Sequence, residues 1–134
     1  MAASSDQGVK KGYRSGLEGT VAKQLVAAGL SPLAAAYETE RIPYVDPRVH
    51  HYTPDFPCGP FYVETKGRFL PEDRSKHLLI QAQQPHLDIR FVFSRSSTRI
   101  SKTSKTTYAD WCRKHGFKFA DKVIPQSWLM ELNK

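Results

Sequence analysis

Three charged side chains that could do chemistry together lie in the stretch from Thr53 to Lys66, TPDFPCGPFYVETK. Asp55 and Glu64 supply two carboxylates, and Lys66 follows Glu64 at the spacing of one strand pleat. The apolar and aromatic residues around them predict two short strands, about 51–56 and 61–66, joined by a turn at PCGP. Charges on such a half-buried ladder need a physical reason.

The pairing of a hairpin decides which of these side chains meet. A loop of two or four residues at PCGP predicts that Asp55 lies opposite Tyr62 and Thr53 opposite Glu64. Since residues two apart share a face, the two faces are then Asp55, Tyr62, Glu64 and Lys66 on one side, and Phe56, Phe61 and Val63 on the other. The apolar set predicts a face buried in the core, and the polar set predicts a face that could carry a functional site.

Two carboxylates this close repel each other unless a cation lies between them. Oxygen ligands favour a hard ion, Mg²⁺ or Mn²⁺. Lys66 could then hold a water or a phosphate oxygen beside the metal. The alternative is that Lys66 simply pairs with Glu64 on a solvated face, and an odd-length loop would separate the two acids. The spacing alone leaves both interpretations open.

The helix that precedes this stretch carries a third acid. Leu17, Val21 and Leu25 repeat at helical spacing and predict a helix over about 16–28, with Ser15 as its N-cap and Gly29 as its stop. Glu18 fits the capping box Ser-x-x-Glu with Ser15. It also lies at the margin of the apolar stripe, where it could face the same site as the strand acids, and one residue can serve both purposes.

The remaining elements complete a mixed α/β pattern. Residues 35–45 indicate an extended segment, and Pro43 and Pro47 indicate a stiff connector around PYVDP. A helix is predicted from Pro71 to about 84, an alternating strand over 87–94, a loop up to 105, a helix over 107–115, and a tail with a short strand or helical turn. We therefore predict one central β-sheet flanked by helices, in a single domain over 15–134 that follows a flexible basic arm at 1–14.

The charge balance favours a polyanionic partner. The chain has 134 residues and a formal net charge of +7, which favours nucleic acid. Basic residues without neighbouring acids predict phosphate contacts in the loop, at Arg95, Arg99, Lys102 and Lys105, and in the arm, at Lys10, Lys11 and Arg14. The cysteines, Cys58 and Cys112, have no metal-site spacing and are expected to be reduced thiols. The N-terminus has no hydrophobic signal core, which predicts a soluble cytoplasmic protein.

The order of these motifs resembles a known nuclease family. An acid on the first helix, then Pro-Asp, then Glu-x-Lys on the next strand, is similar to the PD-(D/E)xK nuclease superfamily. The blocks RSGLE, IPYV, YTPDF, VETKG, DRSKHLLI, DIRFVFS and KHGFKFADKVIP, from about residue 14 to 128, resemble the phage endonuclease I family of Holliday-junction resolvases.

This resemblance implies roles for individual residues. Glu18, Asp55 and Glu64 match the family's metal-binding and catalytic acids, and Lys66 matches its catalytic lysine. The backbone carbonyl of Thr65 would be a further metal ligand. The resemblance also implies an intertwined homodimer in which residues 15–48 are exchanged, so that Glu18 joins the partner's site. The chemistry of phosphodiester hydrolysis favours two Mg²⁺ ions per site, with Mn²⁺ as a substitute. No small-molecule cofactor and no membrane partner is expected.

The function that follows is metal-dependent phosphodiester hydrolysis. We expect a structure-selective endonuclease that resolves four-way and other branched DNA junctions and leaves 5′-phosphate and 3′-hydroxyl ends, in the host cytoplasm if the source is a phage. Two alternatives are a non-catalytic basic DNA-binding protein and a PD-(D/E)xK nuclease of another specificity.

Overall fold

The structure is a computed structural model that describes residues 16–30, 38 and 40–133. The expectations for the arm at 1–14, for Lys10, Lys11 and Arg14, and for Ser15 as N-cap lie outside these residues. In chain order the described elements are helix α1 (Gly16–Ala27), strands β1 (Ile42–Val45), β2 (Val49–Tyr52), β3 (Phe56–Pro57) and β4 (Tyr62–Lys66), helix α2 (Pro71–Gln83), strand β5 (Ile89–Phe93), helix α3 (Tyr108–His115), strand β6 (Lys118–Asp121), helix α4 (Gln126–Leu129) and a 3₁₀ turn (Met130–Asn133).

A mixed four-stranded sheet forms the centre of the molecule. Its strand order is β3-β4-β5-β6, with β3 antiparallel to β4 and with β5 parallel to both β4 and β6. The parallel pairs require crossovers, which α2 and α3 supply. The predicted mixed sheet with flanking helices is therefore confirmed.

The two faces of the sheet carry separate cores. Strand β5 is buried at all five positions, because its side chains alternate between two packed faces and none meets solvent. Ile89, Phe91 and Phe93 pack with α2 and α3, while Val92 packs with α1 and α4. The alternation seen in the sequence thus distinguishes two buried faces and not a buried face from an exposed one.

The main helices form where the sequence predicts them. Val21, Ala22 and Leu25 on α1 pack into the core, and Gly29, with a φ of 103°, takes the left-handed conformation that ends the helix. The side-chain amide of Gln24 makes two hydrogen bonds with the backbone of residue 124, at 2.8 and 2.9 Å, and fixes α1 against the segment after β6. Helix α2 begins at Pro71 as expected, and α3 ends at Gly116, whose φ is 79°.

The predicted connector around PYVDP is wrong in its form. Residues 42–45 and 49–52 pair as an antiparallel hairpin, and Asp46, Pro47 and Arg48 make its turn. Pro43 is accommodated because a two-stranded ribbon has only edge strands, where a missing N–H does no harm. The side chain of Gln83 on α2 bonds the N–H and the carbonyl of Val45 at 2.7 and 2.9 Å, which docks the hairpin on the helix.

The single strand predicted over 51–56 is also wrong, because residues 53–55 interrupt it. Tyr52 ends β2, Asp55 lies at a bend, and β3 begins only at Phe56. Pro54 contributes to the break because it has no N–H to donate to a ladder.

The hairpin register is shifted by two residues from the predicted one. Phe56 pairs with Val63 and Pro57 with Tyr62, so the turn centres on Gly59 and Pro60. Gly59 has a φ of 97°, which suits it to the first corner of a tight hairpin turn. A shift of two preserves the alternation of faces. Phe56, Phe61 and Val63 are therefore buried together as predicted, but Asp55 is brought beside Glu64 and not opposite Tyr62.

The tail contains both of the structures that the sequence allowed, a short strand (β6) and a helical turn (α4). Trp128 on α4 packs edge-on against the ring of Phe61, with 6.3 Å between the ring centroids. Across the described residues, no helix has the length and apolarity needed to cross a bilayer.

Candidate functional site

Glu64 lies at the centre of a buried polar cluster at the carboxyl end of β4. Its side chain is 5 % exposed, on the same strand as Thr65 and Lys66. The hydroxyl of Tyr52 donates to Glu64 Oε1 at 2.7 Å, and the backbone N–H of Asp55 approaches the same oxygen at 3.3 Å. The second oxygen, Oε2, lies 3.5 Å from the ammonium of Lys66. Glu64 is therefore fixed through both oxygens.

Asp55 is held in place by Thr65. The Asp55 carboxylate oxygen Oδ2 accepts from the Thr65 backbone N–H at 2.8 Å and from its hydroxyl at 2.6 Å. The bend before β3 turns the backbone so that the Asp55 N–H faces Glu64 while the carboxylate reaches the next residue of β4. Two acids that are separated in sequence thus share one buried patch.

The pKa values of Asp55 and Glu64 are both raised, so the ionised form of each acid is disfavoured in this patch. Burial, followed by the charge of Glu64, raises the pKa of Asp55 to about 8; Glu18 adds a smaller effect in the same direction, and the bonds from Thr65 oppose it. Burial also raises the pKa of Glu64, against the opposing charge of Lys66 and the bond from Tyr52. A buried pair of carboxylates that resists ionisation is a site where a cation would relieve repulsion.

Lys66 bridges two carboxylates. Its ammonium Nζ lies 3.5 Å from Glu64 Oε2 and 3.3 Å from Oδ1 of Asp73, an acid in the first turn of α2. Burial lowers the Lys66 pKa, but the charges of Glu64 and Asp73 outweigh it, so the pKa is raised. The proximity of Asp73 to Lys66 follows from the way α2 returns to the sheet.

Glu18 lies on the buried face of α1, 5 % exposed, one helical turn before Val21 and Ala22. Its charge is close enough to act on Asp55 within the same chain. The stripe that buries Val21 and Leu25 against the sheet thus turns Glu18 toward the strand acids, as one of the two interpretations of its sequence position predicted.

The donor set fits a hard cation only in part. Asp55 and Glu64 offer carboxylate oxygens of the type that Mg²⁺ prefers. Over residues 16–30, 38 and 40–133, no three His, Cys, Asp or Glu side chains are grouped closely enough to form a metal site. Asp55 and Glu64 therefore meet directly, and Glu18 acts electrostatically on Asp55. The role expected for the Thr65 carbonyl stays a prediction.

The predicted basic loop is exposed and ordered by hydrogen bonds. Arg95, Arg99, Lys102 and Lys105 all lie on its solvent side. The carboxylate of Asp121, at the end of β6, accepts from the Ser96 N–H at 2.7 Å and from its hydroxyl at 2.9 Å, and so anchors the beginning of the loop to the sheet.

The middle of this loop forms one wall of a groove that begins at Gly67, the residue after Lys66. The groove holds about 420 Å³ and is lined by residues 67–71, 98–102 and Tyr108. It contains the cations Arg68, Arg99 and Lys102 and no acid, and we call it the basic groove. Arg95 and Lys105 are not among its lining residues. Arg68 was missed by the sequence reasoning, although it follows Lys66 by only two residues.

Three aromatic positions have structural roles. Trp111 and Tyr108 are buried in the core. His77 is completely buried between Tyr52 and Phe91, with its ring centroid 5.0 and 4.8 Å from theirs. Tyr52 gave no signal in the sequence, because its hydroxyl meets Glu64 only after the hairpin folds back on the sheet.

Comparison with known proteins gives a consistent result. The family model described as Phage endonuclease I matches residues 1–134. The chain is 50 % identical to Endonuclease I of Escherichia phage T7 over 139 aligned positions, covering 100 % of this chain and 91 % of the relative. It is 51 % identical to Endodeoxyribonuclease 1 of Enterobacteria phage T3 over 127 positions, covering 92 % of this chain and 81 % of the relative.

Proposed function

The chain belongs to the phage endonuclease I family, and from this premise we propose that it is a Mg²⁺-dependent DNA endonuclease that cuts four-way and other branched junctions. The observation that carries the proposal is the convergence of Asp55, Glu64 and Lys66 on one buried patch at the end of β4. Burying two carboxylates beside a lysine costs folding free energy, and groups with pKa values perturbed in this way cluster at functional sites. The strand-borne Glu-x-Lys beside a bend-borne Asp also supports a PD-(D/E)xK type of fold.

The metal would be held chiefly by Asp55 and Glu64, with Glu18 and the Thr65 carbonyl as further ligands. Bound at this position, Mg²⁺ supplies an activated water and stabilisation of the charge that develops on phosphate. Thr65 and Tyr52 orient the two carboxylates through their hydroxyl groups, so that the acids keep their positions before any ion arrives. Outer hydrogen bonds of this kind usually support metal ligands.

Lys66 brings a positive charge to the same patch. Its raised pKa keeps the ammonium protonated at neutral pH, so in this structure it is suited to hold a phosphate oxygen and not to remove a proton. Its position beside Glu64 places that charge next to the acids.

The basic groove would carry the DNA backbone away from this patch. It begins at Gly67, immediately after Lys66, and its cations can contact phosphates without reading bases. Selectivity would then come from the shape of branched DNA. The predicted phosphate contacts of the loop and of the arm, at Lys10, Lys11 and Arg14, belong to the same proposal.

The active enzyme would be a homodimer with shared sites. In the single chain, α1 packs on its own sheet through Val21 and Leu25. A partner's helix makes the same contacts when identical segments are exchanged. We propose that residues 15–48 are exchanged in this way, so that Glu18 completes the partner's site and two linked sites cut two strands of one junction.

The decisive experiment compares a synthetic four-way junction with a linear duplex of the same sequence, each with Mg²⁺ and with EDTA. We expect Mg²⁺-dependent cutting of the junction and ligatable ends that carry 5′-phosphate and 3′-hydroxyl groups. Asp55→Asn and Glu64→Gln should abolish cutting and leave junction binding intact, while Asp46→Asn, an exposed acid in the hairpin turn, should cut normally. Binding without metal-dependent cutting would indicate a DNA-binding protein, and equal cutting of duplex and junction a different specificity.

The shared site is tested by mixing inactive subunits. In an exchanged dimer of Glu18→Ala with Lys66→Ala, one site carries both lesions and the other carries neither, so the mixture should nick one strand. Without exchange each site carries one lesion, and complete inactivity of the mixture would reject the shared arrangement.

A further inference from the structure

The ammonium of Lys66 is held from two sides. Glu64 Oε2 lies 3.5 Å from Nζ and Asp73 Oδ1 lies 3.3 Å from it, and the Lys66 side chain is only 16 % exposed. A lysine ends in a compact charge on a flexible four-carbon stem, so a single ion pair leaves its direction poorly defined. Two carboxylates on different elements restrict the position of the ammonium more than one ion pair does.

Asp73 is itself fixed by the start of α2. It is the third residue of the helix that begins at Pro71, and its second oxygen, Oδ2, accepts from the backbone N–H of Leu70 at 3.1 Å. The two oxygens of one carboxylate therefore have separate tasks: Oδ2 caps the helix and Oδ1 faces Lys66. Because the cap fixes the side chain, Asp73 offers Lys66 an anchor that does not depend on the position of Glu64.

We infer that Asp73 is a positioning residue for Lys66 in the hydrolysis of DNA, which neither the family match nor the motif Glu-x-Lys assigns. The inference rests on the proposed function. Glu64 is a proposed metal ligand, so its attraction for Lys66 weakens once its charge is shared with a cation. Asp73 is then the acid that keeps the Lys66 ammonium at the reacting phosphate. The neighbouring Glu72 is an exposed acid in the same first turn of the helix, so it supplies a matched control.

The test compares Asp73→Asn, Asp73→Glu and Glu72→Gln. Asparagine keeps an oxygen that can accept from Leu70 N–H, so the helix cap survives while the charge facing Lys66 is lost. We expect Asp73→Asn to slow single-turnover cleavage of prebound junction on the order of 10- to 100-fold, the effect usual for residues that orient a functional side chain without contacting the substrate. Asp73→Glu should recover most of that rate, and Glu72→Gln should match the wild type. Junction affinity in EDTA and the melting temperature should change little in all three.

A second measurement separates positioning from a general structural effect. In a Lys66→Ala background, Asp73→Asn should change the residual rate by less than about twofold, because its target is gone. An unchanged rate for Asp73→Asn in the wild-type background would overturn the inference alone, and so would a full additional loss in the Lys66→Ala background. Absence of Mg²⁺-dependent cutting by the wild type would overturn the proposed function and this inference with it.

Discussion

Replacing the buried acid Asp55 by asparagine should stabilise the metal-free protein while it removes activity. The folded-state pKa of Asp55 is about 8, raised from 3.8 by burial and then by the charge of Glu64. The folded protein therefore binds more protons than the unfolded chain between about pH 4 and pH 8, so the wild type loses stability as pH rises through this window. Asparagine does not titrate, and its amide can still bond to Thr65.

The size of the effect follows from the pKa difference. A difference of about four units corresponds to a limit of about 5–6 kcal/mol, at about 1.4 kcal/mol per unit, once the pH exceeds 8. Local relaxation and water entry around the carboxylate recover part of this free energy, and we expect Asp55→Asn to be more stable than the wild type by about 2–4 kcal/mol at pH 7.5. The difference in stability should shrink toward zero at pH 4, where the side chain at position 55 is neutral in the folded wild type as it is in the variant.

Urea denaturation in EDTA at intervals from pH 4 to pH 8 measures this difference. Mg²⁺ should then narrow it at pH 7.5, because the ion stabilises the folded wild type by binding Asp55 and gains little from the variant. Asp110→Asn is the control: the bonds from Thr107 lower the pKa of that exposed acid, so its stability difference should stay nearly constant from about pH 5 to pH 8 and change only toward and below pH 4. A variant less stable than the wild type at pH 7.5, or a difference independent of pH, would refute the electrostatic argument.

Three further outcomes are expected. Burial, and then the charges of Lys76 and Lys66, keeps the pKa of His77 well below its usual value, so the wild type loses stability when the pH falls from 7.5 to 5.5 and the unfolded chain takes up a proton. His77→Leu lacks this group and should lose about 1–2 kcal/mol less than the wild type over the same range, measured in the same urea series. Exposed His86→Leu is the control. Arg68→Ala should weaken junction binding several-fold and reduce the slope of log K against log salt by about 1, whereas Lys114→Ala on α3 should not; equal salt slopes would remove Arg68 from the DNA path. Glu131 makes two bonds, at 2.7 and 2.9 Å, to the buried guanidinium of Arg90, and Glu131→Gln should lower the free energy of unfolding by about 2–3 kcal/mol; no change would mean that Asp88 alone satisfies Arg90.

The parts of the fold that depend on local sequence could be predicted. Helices α1, α2 and α3 were located by apolar spacing, by Pro71 and by the stop glycines, since these are properties of a single helical turn. The hairpin register could not be predicted, because Pro57, Gly59 and Pro60 permit more than one turn and the choice between turns depends on how Phe56 and Phe61 pack. The hairpin of β1 and β2 was missed because two prolines so close together suggested a connector.

The chemistry available to this protein can be read from its residues alone: two acids and a lysine at strand spacing, an acid on the first helix, and cations in a loop. An even shift of register leaves each side chain on its face, so the grouping of Asp55 with Glu64 and Lys66 tolerated an error in the pairing. The contacts that hold these groups depend on how the elements pack. Tyr52, Thr65 and Asp73 reach the site from three different elements, and nothing in their spacing along the chain reveals it, because contacts of this kind exist only after the hairpin and α2 have packed against the sheet.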